Sequence, residues 1–90
     1  MTVCFVLHRV ADYEAWRRVY DRVPDVQRTR GVTGQAVYRA EGDPNNVVVM
    51  QEFRSSDETH SFFENPQFRA VLQEAGVDIG SVRLEFYDQA

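Results

Sequence analysis

The spacing of hydrophobic and polar positions changes several times along the chain, and each change predicts a new element. Val3 to Val10 is rich in β-branched and aromatic side chains, which is typical of a strand. After Asp12, whose carboxylate can cap a helix, apolar residues recur at helical spacing as far as a stop at Gly31. Pro24 lies inside this stretch and predicts a kink or distorted turn near Tyr20. The helical positions are Tyr13, Trp16, Val19, Tyr20, Val23 and Gln27.

Two further strands follow the first helix. The second spans Val32 to Ala40 and the third Val47 to Phe53. Between them, Asp43 before Pro44 favours a type I turn, so the two strands are predicted to form a hairpin.

The second helical region is predicted in two pieces. Ser55 with Glu58 three residues later forms a capping-box signature, and Asn65-Pro66 then interrupts the helix. Pro66 can begin another helical segment that runs toward Gly76. A fourth, half-exposed strand is indicated by Val82, Leu84 and Phe86, which alternate with Arg83, Glu85 and Tyr87.

The resulting order, β-α-β-β-α-β, predicts an α+β fold of the ferredoxin-like kind: one domain over residues 1–90, with both helices on one face of a four-stranded antiparallel sheet. Val3 to Leu7 and Val47 to Met50 are apolar at every position, as in strands buried on both faces. The chain has no further element to cover the second face, so a homodimer that packs sheet against sheet is expected.

Composition narrows the functional classes. With 43% hydrophobic residues and no long apolar run, the chain should be globular and should not span a membrane. A formal charge of −4 argues against a nucleic-acid partner. The first residues lack the pattern of an export signal, and a single cysteine, Cys4, fits a reducing compartment, so a cytoplasmic location is expected.

Three segments carry a resemblance to a known family: His8 to Trp16, Gly42 to Val49, and Asn65 to Phe68. In these the chain resembles the small antibiotic biosynthesis monooxygenases and cyclase-like proteins of the dimeric α+β barrel superfamily. The resemblance implies a dimeric barrel and a possible cofactor-independent monooxygenase, cyclase or isomerase acting on an aromatic or polyketide-like substrate. Non-catalytic ligand-binding and stress-related proteins share the fold, so these alternatives stay open.

The residues of the haem-degrading relatives are missing from this chain. Those relatives carry an asparagine in the first strand, a tryptophan before the break in the second helix and a histidine after it. Here the first strand has no asparagine, Phe62-Phe63 stands before the break, and no histidine follows His60. The sequence therefore does not predict haem degradation.

Three residues are candidates for proton transfer. His8 and His60 are the only histidines, and an imidazole can donate or accept a proton near neutral pH. Glu52 lies among apolar neighbours, where an inward-facing carboxylate would have a raised pKa and could act as a base. The alternative is that each is structural, hydrogen-bonded or paired at the end of its element.

Four aromatic residues are candidates for substrate binding. Trp16, Tyr20 and Tyr38 could form a wall for a planar substrate between the helices and the sheet, and Phe63 could join them. Trp16 also has the spacing of a core residue, and a pocket filled by Trp16, Phe62 and Phe63 would favour a protein without catalysis. No metal-ligand spacing and no glycine-rich phosphate loop occurs, so neither a metal nor another bound cofactor is expected.

Overall fold

The computed structural model describes residues 1–22 and 31–90. Within them the order of elements is β-α-β-β-α-α-β, which confirms the predicted α+β order, with the second helical region divided in two. The elements are β1 (Thr2–Arg9), α1 (Tyr13–Tyr20), β2 (Val32–Ala40), β3 (Asp43–Phe53), α2 (Ser56–Glu64), α3 (Pro66–Glu74) and β4 (Arg83–Asp88). A short 3-10 helix, Ile79–Ser81, precedes β4.

The four strands form one sheet in the order β2-β3-β1-β4, with every neighbouring pair antiparallel. β1 and β3 lie at the centre, and Val6 pairs with Val49 between them. β2 and β4 are the two edges. This arrangement is the predicted ferredoxin-like sheet.

Side chains of the central strands alternate between a covered and an uncovered face, since successive residues of a strand point to opposite sides. On β1 the covered set is buried and packs with α1 and α3. The other set is only half-buried, and no described helix packs against it. The covered residues are Thr2, Cys4, Val6, His8, Val47, Val49, Gln51 and Phe53. The half-buried apolar residues of the uncovered face are Val3, Phe5, Leu7, Val48 and Met50.

Each α-helix begins at a side-chain cap, which the sequence indicated for Asp12 and Ser55. The Asp12 carboxylate accepts a hydrogen bond from the Ala15 amide, and the Ser55 hydroxyl accepts one from the Glu58 amide. Asn65 ends α2 and also caps α3, because its side-chain oxygen accepts from the Gln67 amide. These contacts satisfy donors that helix starts leave free, and the break predicted at Asn65-Pro66 is confirmed.

The β2–β3 hairpin is confirmed, but its predicted turn is wrong. The turn is the pair Glu41-Gly42, with Gly42 in the left-handed region at φ 79°, and Asp43 is already in β3 opposite Ala40. The pairing then jumps to Arg39 opposite Val47, so the residues between bulge out of the ladder. The segment after the turn is held by β1 instead, because Arg9 pairs with Asn46 and the Val10 amide donates to the Asn45 carbonyl. The Asp43 carboxylate also forms an exposed ion pair with Arg9 at 2.8 Å.

The first helix ends at Tyr20, where a distorted turn was predicted from Pro24. Its predicted continuation through Val23 and Gln27, and the Pro24 kink itself, lie outside the described residues. Gly31, the predicted stop, has a left-handed φ of 102°.

Candidate functional site

An aromatic stack lies on the helix-covered face of the sheet. Tyr13, Trp16 and Tyr20 follow one another at helical spacing on α1, and their rings stack. The Trp16 and Tyr20 ring centroids are 5.0 Å apart, with the planes inclined by 15°. Trp16 is 3% exposed and also contacts the His8 ring, with centroids 5.7 Å apart. The arrangement brings His8, Trp16 and Tyr20, three of the predicted site residues, into one continuous set of contacts.

A groove of about 320 Å³ opens beside this stack, between the end of α1 and the edge strand β2. At one wall the Tyr20 hydroxyl donates a hydrogen bond to Oε1 of Gln35. The lining residues are Arg17, Tyr20, Asp21, Gln35, Ala36 and Val37.

The charges at the rim of the groove are already paired. The Arg17 guanidinium lies 3.0 Å from the Asp21 carboxylate, and it also sits above the Tyr20 ring at 5.5 Å. A paired rim offers no net charge to an ion, so the groove suits a neutral, planar ligand that stacks or hydrogen-bonds.

His8 has the chemistry of a neutral imidazole with one unused nitrogen. Its Nδ1 lies 3.3 Å from the carbonyl oxygen of Val6, which can only accept, so Nδ1 carries the proton. Nε2 is then a bare lone pair, and it is buried without a partner among the described residues. Burial lowers the pKa of His8 below 6.5, and the bond to the Val6 carbonyl opposes this only in part. His8 could accept a proton, but it does not line the groove, and Trp16 packs against it.

The buried imidazole predicts a pH-dependent stability. In the unfolded chain His8 takes up a proton near pH 6.5, whereas the folded chain resists it, so the unfolded state binds more protons below that pH. The free energy of unfolding should therefore have its full value above about pH 6.5. It should fall as the pH drops below that value toward the pKa of His8 in the folded chain. Urea titrations between about pH 5 and pH 7.5 should show this fall in the wild type and much less of it in His8→Phe.

His60→Gln is the matched control, because His60 is exposed on α2. It should keep the wild-type pH profile. Equal profiles for the wild type and His8→Phe would contradict the assignment of this effect to His8.

His60 and Phe63 lie away from the groove. The His60 ring contacts Phe86 on β4, with centroids 4.6 Å apart, and β4 is the sheet edge opposite to β2. Phe63 packs edge-to-face against several other phenylalanines and belongs to a local core there. Its ring partners are Phe53, Phe62, Phe68 and Phe86.

Glu52 and Tyr38 lie on the uncovered face. Arg39 contacts Tyr13 of α1 at 4.1 Å, so its neighbour Tyr38 points to the other side, where it is 56% exposed. Glu52, next to the covered Gln51, is half-buried and accepts a hydrogen bond from the Thr33 hydroxyl at 3.1 Å. The structure therefore does not bring Tyr38 or Glu52 to the groove with Trp16 and Tyr20.

Cys4 is a protonated thiol in the core. It is fully buried, and desolvation raises its pKa to about 12. A thiol that keeps its proton at neutral pH is a poor nucleophile.

Two glutamines on the covered face were missed by the sequence reasoning. Gln35 lines the groove, and Gln51 lies directly opposite it on β3, 4% exposed. A signal was present for Gln51, since an amide in an otherwise apolar strand must find a partner or stay unpaired.

Among residues 1–22 and 31–90, no group of three or more metal-ligating side chains comes together. No helix in that same part of the chain is long and apolar enough to cross a bilayer.

Comparison with solved structures identifies the fold. A proposed antibiotic biosynthesis monooxygenase from Deinococcus radiodurans superposes with a TM-score of 0.77 at 12% identity, over 100% of this chain and 93% of the other. The chain has the antibiotic biosynthesis monooxygenase fold. A second proposed member, from Nitrosomonas europaea, gives 0.76 at 13% identity, over 99% of this chain and 98% of that one. No protein-family model matches the sequence, and no curated protein matches it.

The fold is shared with a protein described as a cofactor-independent oxygenase. This is SnoaB from Streptomyces nogalater, with a TM-score of 0.76 at 12% identity, over 99% of this chain and 91% of SnoaB. The predicted family resemblance is thereby confirmed at the level of the antibiotic biosynthesis monooxygenase fold.

Proposed function

We propose that this protein is a homodimeric cytoplasmic enzyme that binds a planar aromatic or polyketide-like molecule in the groove between α1 and β2. It transforms this molecule by oxygenation, cyclisation or isomerisation, without a tightly bound cofactor. The observation that carries the proposal is the groove itself: about 320 Å³, with a phenol and an amide on its wall and an aromatic stack beside it.

Homodimer formation is supported by the uncovered face of the sheet. Its central strands present five apolar side chains that no described helix covers, and Tyr38 and Tyr87 add exposed rings, 56% and 51% exposed. A contiguous apolar patch of this kind is typical of an interface. A second copy of the chain is the partner that fits this surface best, because a two-fold dimer buries the same face of both copies.

Oxygenation needs no bound redox group if the substrate is electron-rich. A ring CH2 that lies between two phenolic rings and opposite a ring ketone can lose a proton, and the resulting anion can pass electrons to O2. One oxygen atom then becomes the carbonyl of a quinone, and the other leaves as water with the two hydrogens. In such a reaction the protein positions the ring and handles the proton, and Tyr20, Gln35 and Asp21 are the groups at the groove that could do so.

The test supplies a colourless tricyclic phenol of this kind and measures O2 uptake together with quinone absorbance, without added flavin or metal. Substrate-dependent uptake is expected in the wild type. Val37→Phe should reduce kcat/KM by at least about tenfold, because the larger side chain fills the groove. Ala70→Phe, exposed on α3, is the control and should keep full activity.

A non-catalytic ligand-binding protein is the second candidate, and two observations favour it. His8, the buried imidazole, packs behind Trp16 instead of lining the groove, and Phe63 is part of a phenylalanine core. Trp16 is the single tryptophan and contacts Tyr20 at the groove, so its fluorescence should change when a ligand binds. Ligand-dependent quenching with no turnover on any ligand of this class would favour binding over catalysis.

A further inference from the structure

The amide of Gln51 is a buried polar group with an unused acceptor. Gln51 lies on the covered face of β3, 4% exposed, and its Oε1 has no hydrogen-bond partner among the described residues. Buried polar atoms in folded proteins are nearly always paired, so an orphan acceptor marks a place where a partner is missing.

The position of Gln51 connects it with the groove. In the β2–β3 register Gln51 stands directly opposite Gln35, which lines the groove and accepts the hydrogen bond of Tyr20. Side chains directly opposite in an antiparallel pair have their Cβ atoms about 4.5–5.5 Å apart. Gln51 is thus the next polar side chain inward from the groove wall.

On the side of β1, the described residue opposite Gln51 is only a weak hydrogen-bond donor. This residue is Cys4, a buried thiol, and thiols are weak hydrogen-bond donors. The Tyr20 hydroxyl already donates to Gln35. None of the described residues donates to the Gln51 carbonyl, and the groove beside Gln35 is a place from which a ligand could supply that donor.

We infer that Gln51 is a specificity-determining residue whose carbonyl oxygen accepts a hydrogen bond from a hydroxyl of the ligand. The inference rests on the proposed binding of an aromatic ligand in the groove. This role of Gln51 narrows the ligand class to phenols. A carbonyl oxygen can bind a hydrogen-bond donor such as a phenol hydroxyl, whereas an ether or a quinone carries only acceptors and leaves the carbonyl unpaired. A phenolic substrate would then be held more tightly than its quinone product.

The test compares 1-naphthol with 1-methoxynaphthalene, which has the same rings but no donor. Both are titrated into the ¹⁵N-labelled protein, and binding is followed by NMR through the backbone amides and the side-chain amides of Gln35 and Gln51. The wild type should bind the phenol at least about tenfold more tightly than the ether. Gln51→Leu, similar in size but without an acceptor, should bring that ratio close to one while still binding the ether.

The outcomes distinguish the role of Gln51 from the proposed binding of a ligand in the groove. If the wild type binds both probes equally, or Gln51→Leu keeps the preference, the role of Gln51 is wrong and binding in the groove stands. If the wild type binds neither probe, the groove proposal fails as well. Thermal unfolding without ligand gives a second readout: Gln51→Leu and Gln51→Met should melt at or above the wild-type temperature, whereas a Gln51 satisfied within the protein would make both melt lower.

Discussion

Replacing Met50 with glutamate should convert the protein from a dimer into a monomer. Met50 lies in the middle of β3 on the uncovered face, directly opposite Phe5 of β1 and Ala36 of β2. In a sheet-to-sheet dimer it would be at the centre of the interface, where a carboxylate loses its hydration without gaining a partner. Loss of a central contact of this kind weakens association by at least about 2 kcal/mol, or roughly 30-fold.

Light scattering at micromolar concentration gives the measurement. The wild type should have twice the 10.4 kDa mass of one chain, and Met50→Glu should approach the single-chain mass. Ala70→Glu adds the same charge at an exposed position of α3 and should remain dimeric. A monomeric wild type, or a Met50→Glu variant as dimeric as the control, would rule out this face as the interface.

Replacing Trp16 with alanine should lower the free energy of unfolding by about 3–5 kcal/mol, the usual range for truncating a buried aromatic residue. Trp16 is 3% exposed and its ring contacts three others, those of His8, Tyr13 and Tyr20. Removing the indole leaves a cavity in the layer between α1 and the sheet. Since a domain is stable by only about 5–15 kcal/mol, this is a large part of the total.

Urea unfolding followed by circular dichroism provides the test, because the variant has no tryptophan to report fluorescence. Arg18→Ala is the control on the same helix: Arg18 is exposed, and its removal should change stability by less than about 0.5 kcal/mol. A loss below about 1 kcal/mol in Trp16→Ala would mean that the indole is not a core residue.

The sequence was sufficient to predict the order of the elements, because strand alternation, caps and the Asn65-Pro66 break are local signals. The turn before β3 could not be predicted in the same way. Asp43 and Pro44 favour a turn by themselves, but the pairing of Arg9 with Asn46 joins two strands that are far apart in the sequence. A contact of that range depends on the finished sheet.

The candidate site was predicted only in part, because the sequence does not tell which face of each strand the helices cover. Trp16 and Tyr20 come together since both lie on α1. Tyr38 was expected beside them, but it lies on the opposite face of the edge strand β2. Successive strand residues point to opposite faces, so a shift of one residue along the strand decides the side. That Gln35 and Gln51 lie opposite each other follows from the strand register, which the sequence does not give, so this contact could not be predicted.

The two register shifts in the β2–β3 pairing also bear on how copies of this chain can meet. β2 is an edge strand, and an unpaired edge invites further strands to add by backbone hydrogen bonding, a first step toward aggregation. The shifts lie between Val32 and Gly34 and between Arg39 and Ala40, one near each end of the strand. Bulges twist and bend an edge, and so make it a poor template for endless growth. This favours the proposed assembly through the sheet's broad face, where contact closes after two copies.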